Sequence, residues 1–173
     1  MKPKNKNHHT KLLKCLCDLP KRIVSLQDKD HAPEFILHGL CNEDCFNVLR
    51  AAFFIDNPDF NVFRGVAGFC KAEPHAESHH MWEDPIAFTN YMGRSAFNKL
   101  VRDFARESIK PGAEKELQAF LLKNLGFEKP QMHLWPLKHE NKGVLVFEHE
   151  EDLDWEEEHF INSLHLLSLC PVS

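Results

Sequence analysis

Glycine is scarce in this sequence, and the motifs that depend on it are absent. The chain has seven glycines among 173 residues, and none of them forms a glycine-rich loop able to cradle a phosphate group. The patterns Gly-x-Ser-x-Gly and His-Glu-x-x-His, which mark a serine nucleophile and a zinc peptidase, are also missing. The sequence therefore identifies no catalytic residue and no cofactor, and it favours a protein without enzymatic activity.

Long hydrophobic runs are absent as well. No apolar stretch approaches the ~20 residues that a membrane span requires, and no hydrophobic signal region follows the basic N-terminal residues. The six cysteines are not accompanied by an export signal, so free thiols in a reducing compartment are expected. We therefore predict a cytoplasmic protein that does not bind a membrane.

Acidic residues outnumber basic ones in this sequence, and the basic residues are unevenly distributed. The net charge is −5, which disfavours nucleic acid as a partner. Residues 1–29 are basic, whereas residues 140–158 are strongly acidic. The acidic run is either a solvated loop and helix start or a patch that steers a basic partner. Charge runs of this kind are usually part of a solvated surface, so the first alternative is favoured.

The length of the chain permits one well-buried core. Residues 1–10 are polar and rich in lysine, asparagine and histidine, so we expect a disordered basic tail there. Residues 11–173 are expected to form a single domain.

Hydrophobic patterns in the first half predict helices followed by a β-hairpin. Residues 12–26 predict a helix that is interrupted near Pro20, and residues 34–45 predict a weaker helical stretch. Strands are predicted at residues 48–55 and 61–69, joined by a turn rich in Asp, Asn and Pro.

The second half begins with a predicted loop over residues 71–85, which has no periodicity. Apolar spacing then predicts a helix that starts near residue 87 or 95 and ends at 107. Another helix is predicted at residues 117–125, with Gly126 as its C-terminal cap.

Two more strands and a helix are predicted at the end of the chain. The strands cover residues 131–138 and 143–148, and the helix covers residues 155–169, with Asp154 and Glu157 in a capping box. We expect all four predicted strands to share one antiparallel sheet.

The order of features over residues 132–169 is distinctive. A Trp-Pro-Leu strand end, a polar turn, the strand Gly-Val-Leu-Val-Phe, an acidic link and an amphipathic helix follow one another. This order resembles the C-terminal half of a GAF domain, a small sensory fold, and the resemblance extends over about residues 33–170. It implies an α+β fold in which an antiparallel sheet has helices on both faces. The first and last helices would share one face, and the segment crossing the other face would shape a ligand pocket.

The resemblance does not extend to the ligand-binding motifs of the family. The Asn-Lys-Phe-Asp-Glu set of members that bind cyclic nucleotides is not recognisable, and no cysteine is followed by histidine as in bilin-binding members. Members that reduce free methionine sulfoxide cluster cysteines in the crossing loop, where this chain has only Cys70. The resemblance therefore implies no particular ligand, and a middle strand that the family usually has is not evident.

Aromatic residues of the sheet and the crossing segment are the best candidates for a ligand site. In most proteins such residues fill the core, but in a GAF-like fold some of them would line the pocket. Two of the candidates also offer polar groups. The predicted ligand-binding residues are Tyr91, Arg94, Trp82, Phe54 and Trp135.

A metal site is considered and not predicted. The densest group of metal-ligand residues lies in the long loop, where no apolar frame would hold it. The cysteines are spaced as Cys-x-Cys and Cys-x-x-x-Cys, which does not match structural zinc sites. The residues considered are His75, His79, His80, Glu77, Glu83, Asp84, Cys15, Cys17, Cys41 and Cys45.

Three functional hypotheses follow from the sequence. The favoured one is a non-catalytic regulatory or sensory GAF-like domain that binds a small molecule or a protein partner. The second is a metal- or thiol-dependent redox enzyme that uses the His75–His80 loop and Cys70. The third is a homodimeric interaction module without a ligand.

Overall fold

A computed structural model describes residues 6–27, 29–73, 81–150 and 157–170. In these ranges the chain forms a five-stranded antiparallel sheet with helices packed on both faces. The α+β class predicted from the sequence is therefore confirmed.

The four predicted strands share one sheet, as expected. They are β1 (Val48–Asn57), β2 (Val62–Cys70), β4 (Gln131–Pro136) and β5 (Lys142–His149). A fifth strand, β3 (Ala105–Arg106), was not predicted, and the strand order is β3-β2-β1-β5-β4. Strand β1 is buried almost throughout, because it has a neighbour on each edge and helices on each face.

One face of the sheet carries four helices and a 3-10 segment. They are α1 (Lys6–Ser25), α2 (Ala32–Cys41), α3 (Pro85–Met92), α6 (Glu157–Ser163) and the 3-10 helix Leu164–Leu169. Their apolar side chains form a continuous core with one side of the strands, which includes Leu12, Phe35, Ile36, Phe53, Phe88, Phe147, Phe160 and Leu164.

Helix α1 differs from its prediction at both places where the sequence suggested irregular structure. It continues through Pro20 instead of breaking there. It also begins at Lys6, so residues 6–10 are helical and not a disordered tail. Leu12, Leu19 and Ile23 are buried against the rest of the core. This packing offsets the hydrogen bond that proline removes from the helix.

Helices α4 (Ala96–Arg102) and α5 (Glu114–Leu125) cover the opposite face. Helix α4 lies directly on β2, because the strand has glycine at the two contact positions. A Cβ at Gly65 would collide with the backbone carbonyl of Val101, and one at Gly68 would lie 2.9 Å from its side chain. The absence of side chains at these two positions therefore lets α4 approach the strand backbone closely.

The predicted helix ending at residue 107 is wrong in its extent. The chain forms two helices, α3 and α4, because Ser95 begins a new helix by accepting a hydrogen bond from the Asn98 amide at 3.0 Å. Helix α4 ends at Arg102, and the following residues leave the helix to form β3. A strand of two residues gives no periodic signal.

The ends of α5 and of the last helix are close to their predictions. Gly126 caps α5 in the left-handed conformation, with φ of 68°. The predicted helix over residues 155–169 is described from Glu157 and becomes 3-10 at Leu164. Asp154, the N-cap residue of the expected capping box, lies outside the described residues.

A buried carboxylate joins the two helical layers around the edge of the sheet. Glu34 of α2 accepts hydrogen bonds from Asn98 and Arg102, both of α4, each at 2.9 Å. His31 contacts its other oxygen at 2.7 Å. Asn98 in turn accepts a hydrogen bond from the Gly68 amide at 2.9 Å. This network connects α2, α4 and β2 through two buried side chains, Glu34 and Asn98.

Candidate functional site

A cleft of about 440 Å³ opens on the helical side formed by α1 and α2. Its walls are α1, the end of α2 with the turn that follows it, and residues on either side of the undescribed segment 74–80. The lining residues are Lys11, Lys14, Cys15, Asp18, Leu19, Arg22, Gly39, Cys41, Asn42, Glu43, Asp44, Phe69, Lys71, Met81 and Trp82.

The floor of the cleft is apolar. Leu19, Phe69 and Met81 are buried, and Trp82 is half-buried with its ring 5.2 Å from that of Phe35. The helices come close here because Gly39 has no side chain. A Cβ at this position would lie 2.8 Å from the Leu19 side chain. The floor therefore provides flat and flexible apolar surfaces for contact with a ligand.

The rim of the cleft is more basic than the chain as a whole. The lining contains four cationic and three acidic side chains, whereas the net charge of the chain is −5. Lys11 pairs with Asp44 at 3.1 Å, and Lys71 donates to the Asn47 side chain at 2.7 Å. Lys14 forms no ion pair with any residue that the structure describes.

Arg22 combines a charge with an aromatic contact. Its guanidinium lies 5.8 Å from the centroid of the Trp82 ring, a distance at which the cation is attracted to the ring face. Together with Lys14 on the same helix, it places positive charge beside an apolar surface.

Two thiols face the cleft, and a third lies behind them. Cys15 and Cys41 are in the lining, and the Cys15 thiol donates to the Gly39 carbonyl at 3.5 Å. A hydrogen bond from the Cys45 thiol lowers the pKa of Cys15, burial opposes this change, and the charge of Arg22 adds to the lowering.

The other two thiols of this group are held in the protonated form. The hydrogen bond to Cys15 and burial both raise the pKa of Cys45. Burial alone raises the pKa of Cys41. The charges of Asp44 and Asp18, two further residues of the lining, act against the lowered pKa of Cys15.

The five ligand-binding residues predicted from the sequence are not brought together. Trp82 lines the cleft. Tyr91 is half-buried on α3, and Arg94 is exposed after it. Phe54 and Trp135 are both buried, but they belong to cores on opposite faces of the sheet.

The reason for this separation lies in strand geometry and in the path of the crossing segment. Phe54 points away from α1 and stacks on Phe63 at 5.0 Å, whereas Trp135 stacks on Phe53 at 5.7 Å. Neighbouring residues of a strand face opposite sides. The crossing segment also divides, because α3 lies on one face and α4 on the other.

In the described structure, the residues proposed for a redox or metal enzyme do not come together in one site. Residues 75–80 lie outside it, and Cys70 is buried in the core beneath α4 and α5. Within residues 6–27, 29–73, 81–150 and 157–170, no group of three or more His, Cys, Asp or Glu side chains is placed to hold a metal ion. In the same ranges, no helix has the length and hydrophobicity of a membrane span.

The arrangement of helices around the sheet matches the one implied by the sequence resemblance. The first and last described helices share one face of an antiparallel sheet, and α4 and α5 cover the other. The fold is GAF-like. The cleft described above lies between α1 and α2, beside the two ends of segment 74–80.

Comparison with known proteins adds one structural likeness. No protein-family model and no curated protein matches the sequence. A solved structure of the GAF domain from a phosphoenolpyruvate-protein phosphotransferase of Coxiella burnetii is similar, with 13% identity and a TM-score of 0.46. The match covers 92% of this chain and 89% of that one. A likeness at this level carries no information about function.

Proposed function

We propose that this chain is a non-catalytic regulatory domain that binds a small molecule in the cleft between α1 and α2. The observation that carries the proposal is the combination of an apolar floor with a basic rim in one concave site. Its volume of about 440 Å³ lies within the range of ~300–1,000 Å³ typical of small-molecule sites.

The chemistry of the lining favours a small organic anion with a flat apolar part. Lys14 and Arg22 offer positive charge from one helix, and Trp82 and Phe69 offer aromatic surface beside it. An anionic group would contact the cations, while the apolar part would cover the floor.

The free thiols support a cytoplasmic location as part of this proposal. All six cysteines are free, as expected of a protein that works in a reducing compartment. The homodimer expected as an alternative stays a prediction, and light scattering of the purified protein would test it.

The binding proposal is tested by calorimetric titration with a panel of nucleoside monophosphates, aromatic carboxylates and aliphatic dicarboxylates. At least one anion with an aromatic part should bind and raise the melting temperature, because a ligand of the folded state stabilises it. Lys14→Glu and Arg22→Glu should each weaken binding by about tenfold or more, since each removes a charged contact.

Lys123→Glu provides the control. It makes the same charge reversal at an exposed lysine of α5, which covers the opposite face of the sheet from the cleft. Affinity should change little in this variant. The proposal fails if no member of the panel binds. It also fails if Lys14→Glu and Arg22→Glu bind the ligand as tightly as the control variant does.

A further inference from the structure

Strand β4 is an edge of the sheet, and it pairs with β5 alone among the strands that the structure describes. The opposite edge is β3, which has only two residues and includes the charged Arg106. Strand β4 covers six residues, Gln131–Pro136, in unbroken register with β5, and none of them is Asp, Glu, Lys or Arg. It therefore lacks the charges, bulges or shortness with which sheets usually protect an edge.

The hydrogen bonds next to β4 show which of its backbone groups point away from β5. The Leu137 amide, directly after the strand, donates to the Asn141 carbonyl at 2.8 Å, so it faces the β5 side. Because the bonding direction alternates along an antiparallel strand, Met132 and Leu134 direct their amide and carbonyl groups outwards. Among the residues that the structure describes, these four groups have no hydrogen-bond partner.

Two prolines bracket these outward-facing groups symmetrically. Pro130 and Pro136 each lie three residues from His133, and neither has an amide hydrogen to donate. Amide donors are thus available to a partner strand at Met132 and Leu134, and not at the next outward-facing position on either side. The arrangement of donors along the edge is therefore the same in both chain directions from His133.

We propose that two copies of this chain pair through β4, antiparallel and about a two-fold axis at His133. Met132 of each copy faces Leu134 of the other, and each such pair exchanges two hydrogen bonds. The four outward-facing groups of each copy are then all satisfied. Moving the axis to Met132 or to Leu134 would set a proline against the other of these two residues and lose hydrogen bonds. The prolines therefore select this register.

The apolar side chains of this edge fit the same pairing. Met132 and Leu134 are half-buried, and both pack against the core beneath α4 and α5, so they share one face of the sheet. Directly paired residues of neighbouring strands place their side chains together on one face. Each Met132 thus lies beside Leu134 of the other copy, and the core of one copy continues into that of the other. Pairing removes apolar surface from water, which favours association.

The charges that flank β4 are complementary under this two-fold axis. Glu128 and Lys138 are exposed, and each lies five residues from His133. The axis therefore matches the acid of one copy with the base of the other at both ends of the paired strands. Lys129 and Glu140 add a charge of the opposite sign on each flank, so neither pair of flanking residues has a net charge.

This pairing stops at two copies. It joins the two sheets into one continuous sheet with β3 at each outer edge, and so short an edge resists further pairing. A two-fold contact also uses the same surface on both copies and leaves none of it free. Strand β4 contributes no residue to the cleft lining, so this inference does not rest on the proposed function.

Sedimentation equilibrium of the wild-type protein, from low micromolar to near-millimolar concentration, tests the dimer. The contact is smaller than a standard interface, so the mass should rise with concentration from one chain to two and no further. A protein that stays monomeric over this range would overturn the proposal and leave the edge to a strand of another protein. Growth beyond two copies would overturn the two-fold arrangement.

Cross-linking through an introduced thiol tests the register. His133→Cys places a thiol on the axis, in a pair whose Cα atoms are ~4.5 Å apart, a separation that permits a disulfide. Mild oxidation should link two chains at this position, as peptide mapping would show against the background of the native cysteines. Gln131→Cys is the matched control on the same face of the same strand, and it should not link because it faces Trp135 of the other copy. Equal linking in the two variants, or none in His133→Cys, would overturn the register.

A proline at Leu134 separates hydrogen bonding from packing. Leu134→Pro removes an amide that faces away from β5, so the hydrogen bonds between β4 and β5 remain. Leu134→Ala is the matched variant, because it loses the same side chain and retains the amide. The dimer dissociation constant should be about tenfold or more higher in Leu134→Pro than in Leu134→Ala. Equal constants would contradict backbone pairing. Circular dichroism checks that both variants are folded, and the wild-type sedimentation decides if either is not.

Discussion

His38 is a buried histidine that the fold holds in its neutral form. It lies between the rings of Phe69 and Phe88, with ring centroids 4.9 and 5.1 Å away. Burial lowers its pKa to about 3, although a hydrogen bond with the Gly68 backbone opposes the change. Its Nε2 atom has no hydrogen-bond partner among the described residues. Protonation would therefore place an unpaired charge in an aromatic core.

This histidine makes stability depend on pH in a defined direction. Its folded pKa lies below the unfolded value of ~6.5, so the unfolded chain binds a proton that the folded chain excludes. Its contribution is present above about pH 6.5 and is lost as the pH falls towards the folded value. From pH 7 to 5, His38 should lower the free energy of unfolding by about 2 kcal/mol.

Urea unfolding of wild type and His38→Gln at pH 7 and 5 measures this contribution. The decrease between the two pH values should be smaller in His38→Gln by about 2 kcal/mol. Equal decreases in wild type and His38→Gln would show that His38 is protonated in the folded state.

At the scale of elements, the last 3-10 helix offers a direct test of its packing. Leu164 is 1% exposed, whereas Leu169 in the same helix is 64% exposed. Leu164→Ala should lower the free energy of unfolding by roughly 2–4 kcal/mol, because it leaves a cavity in the core. Leu169→Ala should change it by less than about 0.5 kcal/mol. Chemical denaturation of both variants measures these changes. A similar small change in the free energy of unfolding of each variant would show that the helix is peripheral to the core.

The elements differ in how far the sequence could predict them. The hairpin strands and β5 were predictable, because apolar residues and turn signals mark them over many positions. Helix α1 was mispredicted at Pro20, since burial of Leu19 and Ile23 is a tertiary effect that no local pattern reveals. Strand β3 was missed because its pairing depends on β2 and not on its own two residues.

The candidate site was less predictable than the fold. Trp82 was identified, but the cleft beside it is formed by two helices whose mutual position depends on Gly39 and Leu19. The sequence drew attention to Cys15 and Cys41 only as members of separate cysteine pairs. Both line the cleft because α1 packs against α2, and spacing along the chain does not encode that packing.

For the whole molecule, Glu34 is the side chain that couples the two helical layers. It is 2% exposed and accepts from Asn98 and Arg102 of the opposite layer. Glu34→Ala would leave Asn98 buried without this acceptor. The free energy of unfolding should fall by roughly 1–3 kcal/mol, because a buried amide donor loses its acceptor.

Arg102→Ala is the control for this network. The Arg102 side chain is 49% exposed, so its loss should cost less than about 1 kcal/mol. Thermal and urea unfolding of the two variants separate the buried hydrogen bonds from the surface charge. A loss for Glu34→Ala no larger than for Arg102→Ala would mean that the carboxylate does not join the layers.

The central position of β1 also determines when the chain can fold during synthesis. Its partner on one edge is β2, which follows at once, but its partner on the other edge is β5, at Lys142–His149. While residues up to 141 emerge from the ribosome, β1 has an open edge whose amide and carbonyl groups can pair with another nascent chain. The second edge of β1 becomes paired only after β5 has been synthesised. The sheet can therefore be completed only late in translation. A chain released before that point would be a target for chaperones and proteases.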